Sequence, residues 1–227
     1  MSAKRQQARP AASKRAPKRQ KTLTKQAIVI GDFEDVIDGE TGGMRVARLD
    51  IPKPVLKALR QLPLEDRPPI TVFGKKTRMP RNCGNFGPEY SFSGSNLTTQ
   101  SVTPELQALM DAINKATGGN FDQCLVNQYH DGRHYIGKHS DDEKEIDADL
   151  GVVSIAFGQP RIFRTRRKGQ KGFSDWQPED RKPHLIWMWG TFNDTHTHEI
   201  PKQLRLKARG PDDTRFVRTS LTFRKIN

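Results

Sequence analysis

The second half of the chain is a succession of short β-type segments separated by turn residues, and this pattern limits the possible folds more than any other feature. Short apolar or alternating runs bounded by turn residues are typical of strands, and their spacing here is typical of an all-β sandwich or barrel. The segments, from Gln123 onward, are QCLVNQY, GVVSIAFG, RIFRTRR, HLIWMWG, HEI and RFVRTSLTFRKI.

Two helices and a hairpin are predicted ahead of these strands. Residues Ile51 to Pro63 have the pattern of a short helix, and the clearest helix has Thr103 as its N-cap, Pro104 at its first position and Gly118 at its end. Between them, ITVFGKKTRMPRN predicts a β-hairpin, because β-branched and aromatic residues run into Gly74 and a basic turn. Since helices precede the run of strands, we expect an α+β fold rather than a doubly wound sheet.

The excess of basic charge is concentrated at the N-terminus. The 227 residues include 39 Lys and Arg against 26 Asp and Glu, which favours a polyanionic partner such as nucleic acid. Nine of those basic residues and no acidic residue lie in residues 1–25. Because that segment has no apolar periodicity, we expect residues 1–25 to be a disordered basic tail and residues 26–227 to form one domain.

The role of the tail stays open between a nuclear-import signal, a nonspecific anchor to phosphates and a solubilising segment. The sequence KRAPKRQK fits the first role, which predicts a nuclear location if the organism is a eukaryote and a cytoplasmic location otherwise. A secretory signal is not predicted, since the tail has no apolar core, and a transit peptide fits poorly. No stretch approaches 18 apolar residues, so no membrane partner is expected.

The two cysteines indicate a reducing compartment. Cys83 and Cys124 are too few for a disulfide framework and too far apart in sequence for a CxxC metal site. We expect the protein to be a monomer.

The segment HSDDE, from His139 to Glu143, is either a candidate metal site or a solvated acidic turn. In an extended segment alternate side chains share a face, so His139 and Asp141 can point at one centre while Ser140 points away. A non-haem Fe(II) site needs a second histidine from elsewhere in the chain. The segment DTHTHEIP offers His196 and His198, and the residue pattern alone does not choose between them.

The last predicted strand offers a site for a dicarboxylate. Its period of two places four polar side chains on one face and apolar side chains on the other. The Cα atoms of the two arginines at its ends lie about 20 Å apart, and the guanidinium groups can reach toward each other to hold one carboxylate each. The polar side chains are those of Arg218, Ser220, Thr222 and Arg224. The alternative is two ordinary arginines on an exposed strand.

Four motifs in this order, NQY, HSDDE, HEIP and RTSLTFRKI, resemble the AlkB family of Fe(II)- and 2-oxoglutarate-dependent dioxygenases. The resemblance runs from about Ile70 to the C-terminus. The segments VFGK, YSFSG, HDG, IGKHSDDE and LTFRKI most resemble the animal nuclear member that repairs alkylated double-stranded DNA. The family implies a double-stranded β-helix (jelly-roll) core with N-terminal helices and a nucleotide-recognition hairpin, here preceded by the basic tail.

The resemblance also implies a set of site residues and cofactors. It makes His139, Asp141 and His198 the Fe(II) ligands, while His196 stands where relatives often have tryptophan. It assigns 2-oxoglutarate, which is consumed together with O2, to Asn127, Tyr129, Arg218, Thr222 and Arg224. The implied reaction oxidatively demethylates N-alkylated bases such as 1-methyladenine and 3-methylcytosine, and yields formaldehyde, succinate and CO2.

The resemblance places a second set of residues on the alkylated DNA. Phe73 would be the wedge that fills the space of a flipped base, with Gly74 and Lys75 beside it, and Arg81 would contact the backbone. Tyr90, Ser91 and Phe92 would line the base pocket, and Asp142 and Glu143 would face the cationic base. Other roles stay open: Phe73 as a core residue of the hairpin, Glu143 as a solvated loop acid, and Asp142 as a residue that orients the metal site.

Three functions compete on the sequence alone. The first is a dealkylase of double-stranded DNA, which the wedge hairpin favours. The second is a relative that acts on single-stranded DNA or RNA. The third is a nucleic-acid-binding protein without activity, which the complete set of implied ligands disfavours. Lys76, Thr77 and the loop LKARGPDD differ from close relatives, so they leave strand preference and lesion range open.

Overall fold

Two packed β-sheets form the body of the protein in a computed structural model, which describes residues 27–72, 74–91, 97–210 and 212–227. The strands are β1 (Val29–Ile30), β2 (Glu34–Ile37), β3 (Gly42–Asp50), β4 (Pro69–Val72), β5 (Lys75–Arg78), β6 (Asn82–Phe86), β7 (Thr99–Gln100), β8 (Gln123–Tyr129), β9 (Ile136–His139), β10 (Val152–Gly158), β11 (Phe163–Arg167), β12 (Ser174–Trp176), β13 (His184–Gly190), β14 (His196–Ile200) and β15 (Arg218–Arg224). The helices are α1 (Lys53–Leu59), α2 (Pro104–Thr117) and α3 (Phe192–Thr195).

The larger sheet has nine strands in the order β1-β3-β13-β10-β15-β8-β6-β7, with β2 beside β3. The smaller sheet has four strands in the order β12-β11-β14-β9, and β4 and β5 form a separate hairpin. This arrangement of two facing sheets agrees with the double-stranded β-helix core that the resemblance implies. The hairpin predicted around Gly74 is confirmed, with Val72 paired to Lys75.

Helices α1 and α2 cover the outer face of the larger sheet. Leu106, Leu109 and Ile113 of α2 are fully buried in one apolar cluster with strand residues that include Leu221 and Phe223 of β15. Thr103 caps α2 by accepting a hydrogen bond from the backbone N–H of Leu106, and Gly118 ends it in the left-handed conformation. The other face of β15 is thereby turned toward the smaller sheet, where the site lies.

The prediction that helices precede the strands holds only in part. The nine-residue strand β3 precedes α1 and pairs along its length with β13 in the larger sheet. Long-range pairing with β13 forms this strand, and the local pattern did not predict it. The predicted tail, residues 1–25, lies outside the described residues. Among the described residues, no helix is long and apolar enough to cross a membrane.

Candidate metal and co-substrate site

A cavity of about 690 Å³ opens between the two sheets and collects most of the predicted site residues. Its floor is built by β8, β9, β14 and β15, and its rim by the β4–β5 hairpin and the loops that follow β8 and β14. The predicted residues that line it are Arg81, Tyr90, Asn127, Tyr129, His139, Asp141, Glu143, His198, Arg218, Thr222 and Arg224.

Three side chains form a candidate metal centre in this cavity. Strands β9 and β14 pair so that His139 lies directly opposite His198, and Asp141 follows just beyond the end of β9. The Asp141 carboxylate lies 3.8 Å from Nε2 of each histidine, and one ligand atom from each residue falls within 4.8 Å of the others. Pairing between two distant strands therefore brings together ligands that the sequence keeps far apart.

The orientation and protonation of the three side chains suit a divalent cation. His139 Nδ1 lies 2.8 Å from the carbonyl oxygen of Gly137, and a proton on Nδ1 leaves Nε2 available to a metal. Burial lowers the pKa of His198 to about 3, with a further contribution from His139, so this imidazole is neutral at pH 7. Burial opposes ionisation of Asp141, but Arg224 and the two histidines outweigh it and hold its pKa well below the usual value. Two imidazole nitrogens and a carboxylate match a non-haem Fe(II) site.

His196, the alternative to His198, does not join the cluster. Its ring stacks on Phe192 with centroids 5.0 Å apart, and its Nδ1 lies 2.9 Å from the hydroxyl of Thr195. Alternation alone would place both histidines on one face of β14, because they are two residues apart. The register with β9, which sets His198 opposite His139, selects His198 as the member of the cluster. Ser140 also points away from the metal centre, because its hydroxyl donates to the carbonyl of His196.

Arg224 lies at the metal end of the polar face of β15. Its Nη2 donates to Asp141 at 3.1 Å, and its guanidinium lies 4.5 Å from the ring centroid of Tyr90. Burial opposes the charge of Arg224, but the Asp141 carboxylate outweighs it and raises the pKa. Arg224 is thus a cation held beside the metal centre.

Arg218 lies at the other end of the same face, and its guanidinium is 5.2 Å from the ring centroid of Tyr129. Only 2% of Arg218 is exposed, and its Nε and Nη1 have no hydrogen-bond partner among the described residues. Burial lowers the pKa of Arg218. A second buried cation, Arg161, lies 5.8 Å from the same tyrosine ring. Unused buried donors at this end of the cavity fit a carboxylate, so the chain's residues fit a short dicarboxylate such as 2-oxoglutarate.

Asn127 and Arg81 form one unit on the cavity wall. Arg81 Nε donates to Asn127 Oδ1 at 2.6 Å, and only 4% of Arg81 is exposed. In this position Arg81 orients the side-chain amide of Asn127. Its predicted contact with the DNA backbone stays a prediction.

The two acidic residues at the end of HSDDE, Asp142 and Glu143, lie in different surroundings. Glu143 lines the cavity, and burial followed by the nearby Asp141 carboxylate raises its pKa. Asp142 does not line it: its side chain is 56% exposed and pairs with Lys168 at 3.4 Å. These adjacent residues point in different directions, so of the two only Glu143 lines the cavity, and its contact with a cationic base stays a prediction.

The rest of the predicted substrate contacts lie at the rim or outside the described residues. Gly74 and Lys75 are exposed in the β4–β5 hairpin, and Gly74 has a positive φ of 75°. Tyr90 is 5% exposed and lines the cavity, whereas Ser91 is exposed. Phe73 and Phe92 lie outside the described residues, so their roles stay predictions.

Sequence reasoning missed several charged residues of the site. Arg67, Arg78, Lys138 and Lys202 are exposed and line the cavity mouth. Arg161 is 1% exposed and donates to Gln203 Oε1 and to three backbone carbonyls, those of Asp131, His134 and Pro201. A buried arginine bound to carbonyls from distant loops has no local sequence signal. The basic residues of the hairpin could have been found, because TVFGKKTR already combines a turn with a cluster of cations.

Comparisons with known proteins agree with this site. Residues 61–224 match the family described as the 2OG-Fe(II) oxygenase superfamily. The chain is 34% identical to the DNA oxidative demethylase ALKBH2 of Mus musculus over 69% of this chain and 66% of the mouse protein. The corresponding human protein is also 34% identical, over 69% of this chain and 60% of its own length. The chain thus spans less than two thirds of the length of these relatives.

A more distant relative and a solved structure extend the comparison. The alpha-ketoglutarate-dependent dioxygenase alkB homolog 3 of Rattus norvegicus is 28% identical over 54% of this chain and 41% of its own. The solved structure of OsALKBH1 matches with a TM-score of 0.54 and 19% identity, covering 83% of this chain and 99% of that one, and supports the fold alone. The chain therefore belongs to the AlkB family within the 2OG-Fe(II) oxygenase superfamily, enzymes whose cofactors are Fe(II), 2-oxoglutarate and O2.

Proposed function

We propose that this protein is a DNA oxidative demethylase that removes N-alkyl groups, as in 1-methyladenine and 3-methylcytosine, with a preference for double-stranded DNA. One observation carries the proposal: a single cavity holds the His139, Asp141 and His198 cluster at its floor and a group of exposed cations at its mouth. The overall reaction consumes 2-oxoglutarate, O2 and the N-methyl group. It yields succinate, CO2, formaldehyde and the repaired base.

The chain's residues would hold the reactants in place. His139, Asp141 and His198 would bind Fe(II), which supplies the oxidising chemistry when bound. The guanidinium groups of Arg218 and Arg224 would each hold one end of 2-oxoglutarate. Tyr129, Asn127 and Thr222 line the same cavity and would position the co-substrate between them.

Glu143 would distinguish an alkylated base from a normal one. A base methylated at a ring nitrogen carries a positive charge, and a carboxylate on the cavity wall favours that charge. The pKa of Glu143 is raised because burial and the Asp141 carboxylate outweigh the nearby Arg224 and Tyr90, so its ionised form is under-compensated in the free protein. A cationic base would supply that compensation. Tyr90, whose ring lies against Arg224 and in the same cavity, would contact the flipped base.

The mouth of the cavity would bind the nucleic-acid backbone. Arg67 and Arg78 are exposed and direct side-chain donors to backbone carbonyls, leaving their charges available to phosphates. Lys138 and Lys202 are exposed at the same rim. The strength of binding should therefore fall steeply with salt.

The preference for a duplex would depend on the β4–β5 hairpin. Ile70 and Thr77, which pair across this hairpin, line the cavity, so the hairpin borders the opening where a base would enter. Phe73, at the tip of VFGK in the sequence, is the residue predicted to fill the space of the flipped base. A single-stranded substrate has no such space. We further infer a monomer with one catalytic domain, residues 26–227, and a nuclear location if the organism is a eukaryote.

Release of formaldehyde from defined oligonucleotides tests this proposal. The purified chain, Fe(II), ascorbate and 2-oxoglutarate are incubated with one 1-methyladenine lesion in duplex DNA, single-stranded DNA or RNA of the same sequence. We expect formaldehyde from all three with the highest rate on the duplex, and loss of at least about 10³-fold on Asp141→Ala, since the variant lacks a metal ligand.

Two outcomes would overturn parts of this proposal. Full activity of Asp141→Ala would remove the metal centre from the reaction. A higher rate on RNA or single-stranded DNA than on the duplex, or an equal loss on all three substrates in Phe73→Ala, would contradict the duplex preference and the wedge.

A further inference from the structure

The segment that carries Asp141 is held by side chains whose role the proposed reaction does not explain. After β9 ends at His139, the backbone N–H of Asp141 donates to Oδ1 of Asn193 at 3.3 Å. Asp141 is 7% exposed, and its N–H makes no other hydrogen bond within the described residues. The position of the metal-binding carboxylate therefore depends on the side chain of Asn193.

Asn193 also belongs to the arm of the site that carries His198. It lies in α3, which leads directly into β14, and it is 7% exposed. A single buried amide thus connects the segment of one proposed metal ligand with the strand of another. Ser140 reinforces this connection by donating to the backbone carbonyl of His196.

Lys168 fixes Asn193 from the outside. Its Nζ donates to the backbone carbonyl of Asn193 at 2.8 Å and pairs with the carboxylate of Asp142 at 3.4 Å. Its own backbone N–H donates to the carbonyl of Thr195 at 2.8 Å. The Lys168 ammonium group therefore contacts Asn193 and Asp142, the residue next to Asp141, and so lies beside both partners of the Asp141–Asn193 hydrogen bond.

Lys168 begins the exposed turn between β11 and β12. This turn contains Gly169 and Gly172, both with positive φ, and Lys171, which is exposed. Of the two lysines, Lys168 has the contacts to α3 and to Asp142 described above, which makes Lys171 a matched comparison.

We propose that Asn193 and Lys168 are positioning residues that set the metal affinity of the His139, Asp141 and His198 centre. This inference rests on the proposed metal role of those three residues. Without the Asn193 acceptor, the buried N–H of Asp141 has lost its partner, so the backbone rotates to find another and turns the carboxylate away from the histidines. Lys168 limits the same rotation by holding α3 and Asp142 together.

Binding of Mn(II) to the full chain, followed by electron paramagnetic resonance without 2-oxoglutarate, tests this inference independently of activity. We expect Asn193→Ala to weaken Mn(II) binding about tenfold, within the range found when partners of metal ligands are removed. Lys168→Met should weaken it about threefold, because one exposed contact is lost while the Asn193 amide remains. Lys168→Arg should retain most of the affinity, and Lys171→Met should match the unmodified chain.

The side-chain amide of Asn114 provides a control that distinguishes a positioning effect on the metal from a general loss of stability. Asn114 accepts a hydrogen bond from the backbone N–H of Phe121 at 2.7 Å, at the end of α2 and outside the cavity lining. Asn114→Ala thus removes a similar bond and should lower the unfolding temperature without changing Mn(II) affinity. The absorption spectrum of bound Co(II) should change in Asn193→Ala, because a turned carboxylate alters the coordination geometry, and should stay unchanged in Asn114→Ala.

Asp141→Ala distinguishes failure of the proposed metal centre from failure of the positioning role. If Asp141→Ala still binds Mn(II) as tightly as the unmodified chain, the proposed metal centre is wrong. If Asp141→Ala loses binding while Asn193→Ala and Lys168→Met bind as tightly as the unmodified chain, the metal centre stands and the positioning role is wrong. Equal weakening by Asn193→Ala and Asn114→Ala would also overturn it, since the effect would then follow stability.

Discussion

Arg218 and Arg224 lie on the same face of the same strand and are almost equally buried, yet their surroundings differ. Arg224 donates to the carboxylate of Asp141 at 3.1 Å, and its pKa is raised. Arg218 lies against the ring of Tyr129, and burial lowers its pKa. The sequence pattern treats the two arginines as equivalent. In the structure a carboxylate compensates the charge of Arg224, whereas no carboxylate among the described residues compensates that of Arg218.

The contrast indicates how the two ends of the proposed co-substrate would be recognised. At Arg224 the protein already supplies a negative charge, so the cation stabilises the metal-binding carboxylate before any ligand arrives. Arg218 has no carboxylate partner among the described residues, so under the proposed function a ligand carboxylate would be its ionic partner. Arg161, whose pKa burial followed by Arg218 lowers to about 10, adds to the same unmet positive charge.

Replacement of Arg224 should have the largest effect, and it should act on folding. Arg224→Met leaves the Asp141 carboxylate buried without its cation, so we expect the free energy of unfolding to fall by about 3–5 kcal/mol in the presence of a chelator. Urea unfolding followed by circular dichroism measures this change. A variant as stable as the unmodified chain would mean that Arg224 and Asp141 do not form the compensated pair.

Replacement of Arg218 should act on ligand affinity instead. Arg218→Met removes a charge-assisted contact worth about 1.5–3 kcal/mol, so 2-oxoglutarate should bind about 10- to 100-fold more weakly. The free energy of unfolding of the free chain should not fall, because the lost guanidinium has no carboxylate partner. Calorimetric titration in the presence of Mn(II) gives the affinity, with Arg218→Lys as a control that retains charge without the two-pronged geometry. Unchanged affinity in Arg218→Met would remove this residue from the co-substrate site.

The smallest of the three effects is the part of an acid destabilisation that Arg218 contributes through His184. Burial, followed by the charge of Arg218, lowers the pKa of His184 from 6.5 to about 3. The folded chain therefore keeps His184 neutral while the unfolded chain is protonated below pH 6.5, and stability falls as pH drops from 6.5 toward 3, by about 1.4 kcal/mol per pH unit for this residue.

Two variants check that pH effect. His184→Gln should reduce the acid slope by the contribution of one proton. Arg218→Met should raise the pKa of His184, so that the loss of stability levels off at a higher pH, as urea unfolding at pH 5, pH 4 and pH 3 would show. The same acid slope in all three proteins would mean that the charge of Arg218 is not felt at His184.

The sequence predicted the site where local periodicity determines it. Alternation along β15 correctly separated the face of Arg218, Ser220, Thr222 and Arg224 from the face of Leu221 and Phe223. The caps of α2 were predicted for the same reason, since Thr103 and Gly118 act on their own neighbours. Local pattern could not predict that Arg224 has a carboxylate partner while Arg218 has none within the described ranges, because Asp141 reaches Arg224 across 83 residues of chain.

Other differences have the same physical origin. Arg81 and Asp142 lie in segments that resemble family motifs. Contacts with the distant residues Asn127 and Lys168 determine where their side chains point. Strand β3 was missed because its pairing with β13, rather than its own alternation, defines it. Contacts between segments that are distant in sequence therefore account for the features that the motifs did not predict.

The most direct test of the central claim measures formaldehyde and succinate together on a duplex that contains one 1-methyladenine. The proposed reaction predicts one formaldehyde for each lesion repaired and a matching increase in succinate over the lesion-free duplex, with both requiring Fe(II) and 2-oxoglutarate and both lost in Asp141→Ala. Succinate that does not increase with the lesion, or a lesion that persists while 2-oxoglutarate is consumed, would contradict the assignment of this chain as a DNA oxidative demethylase.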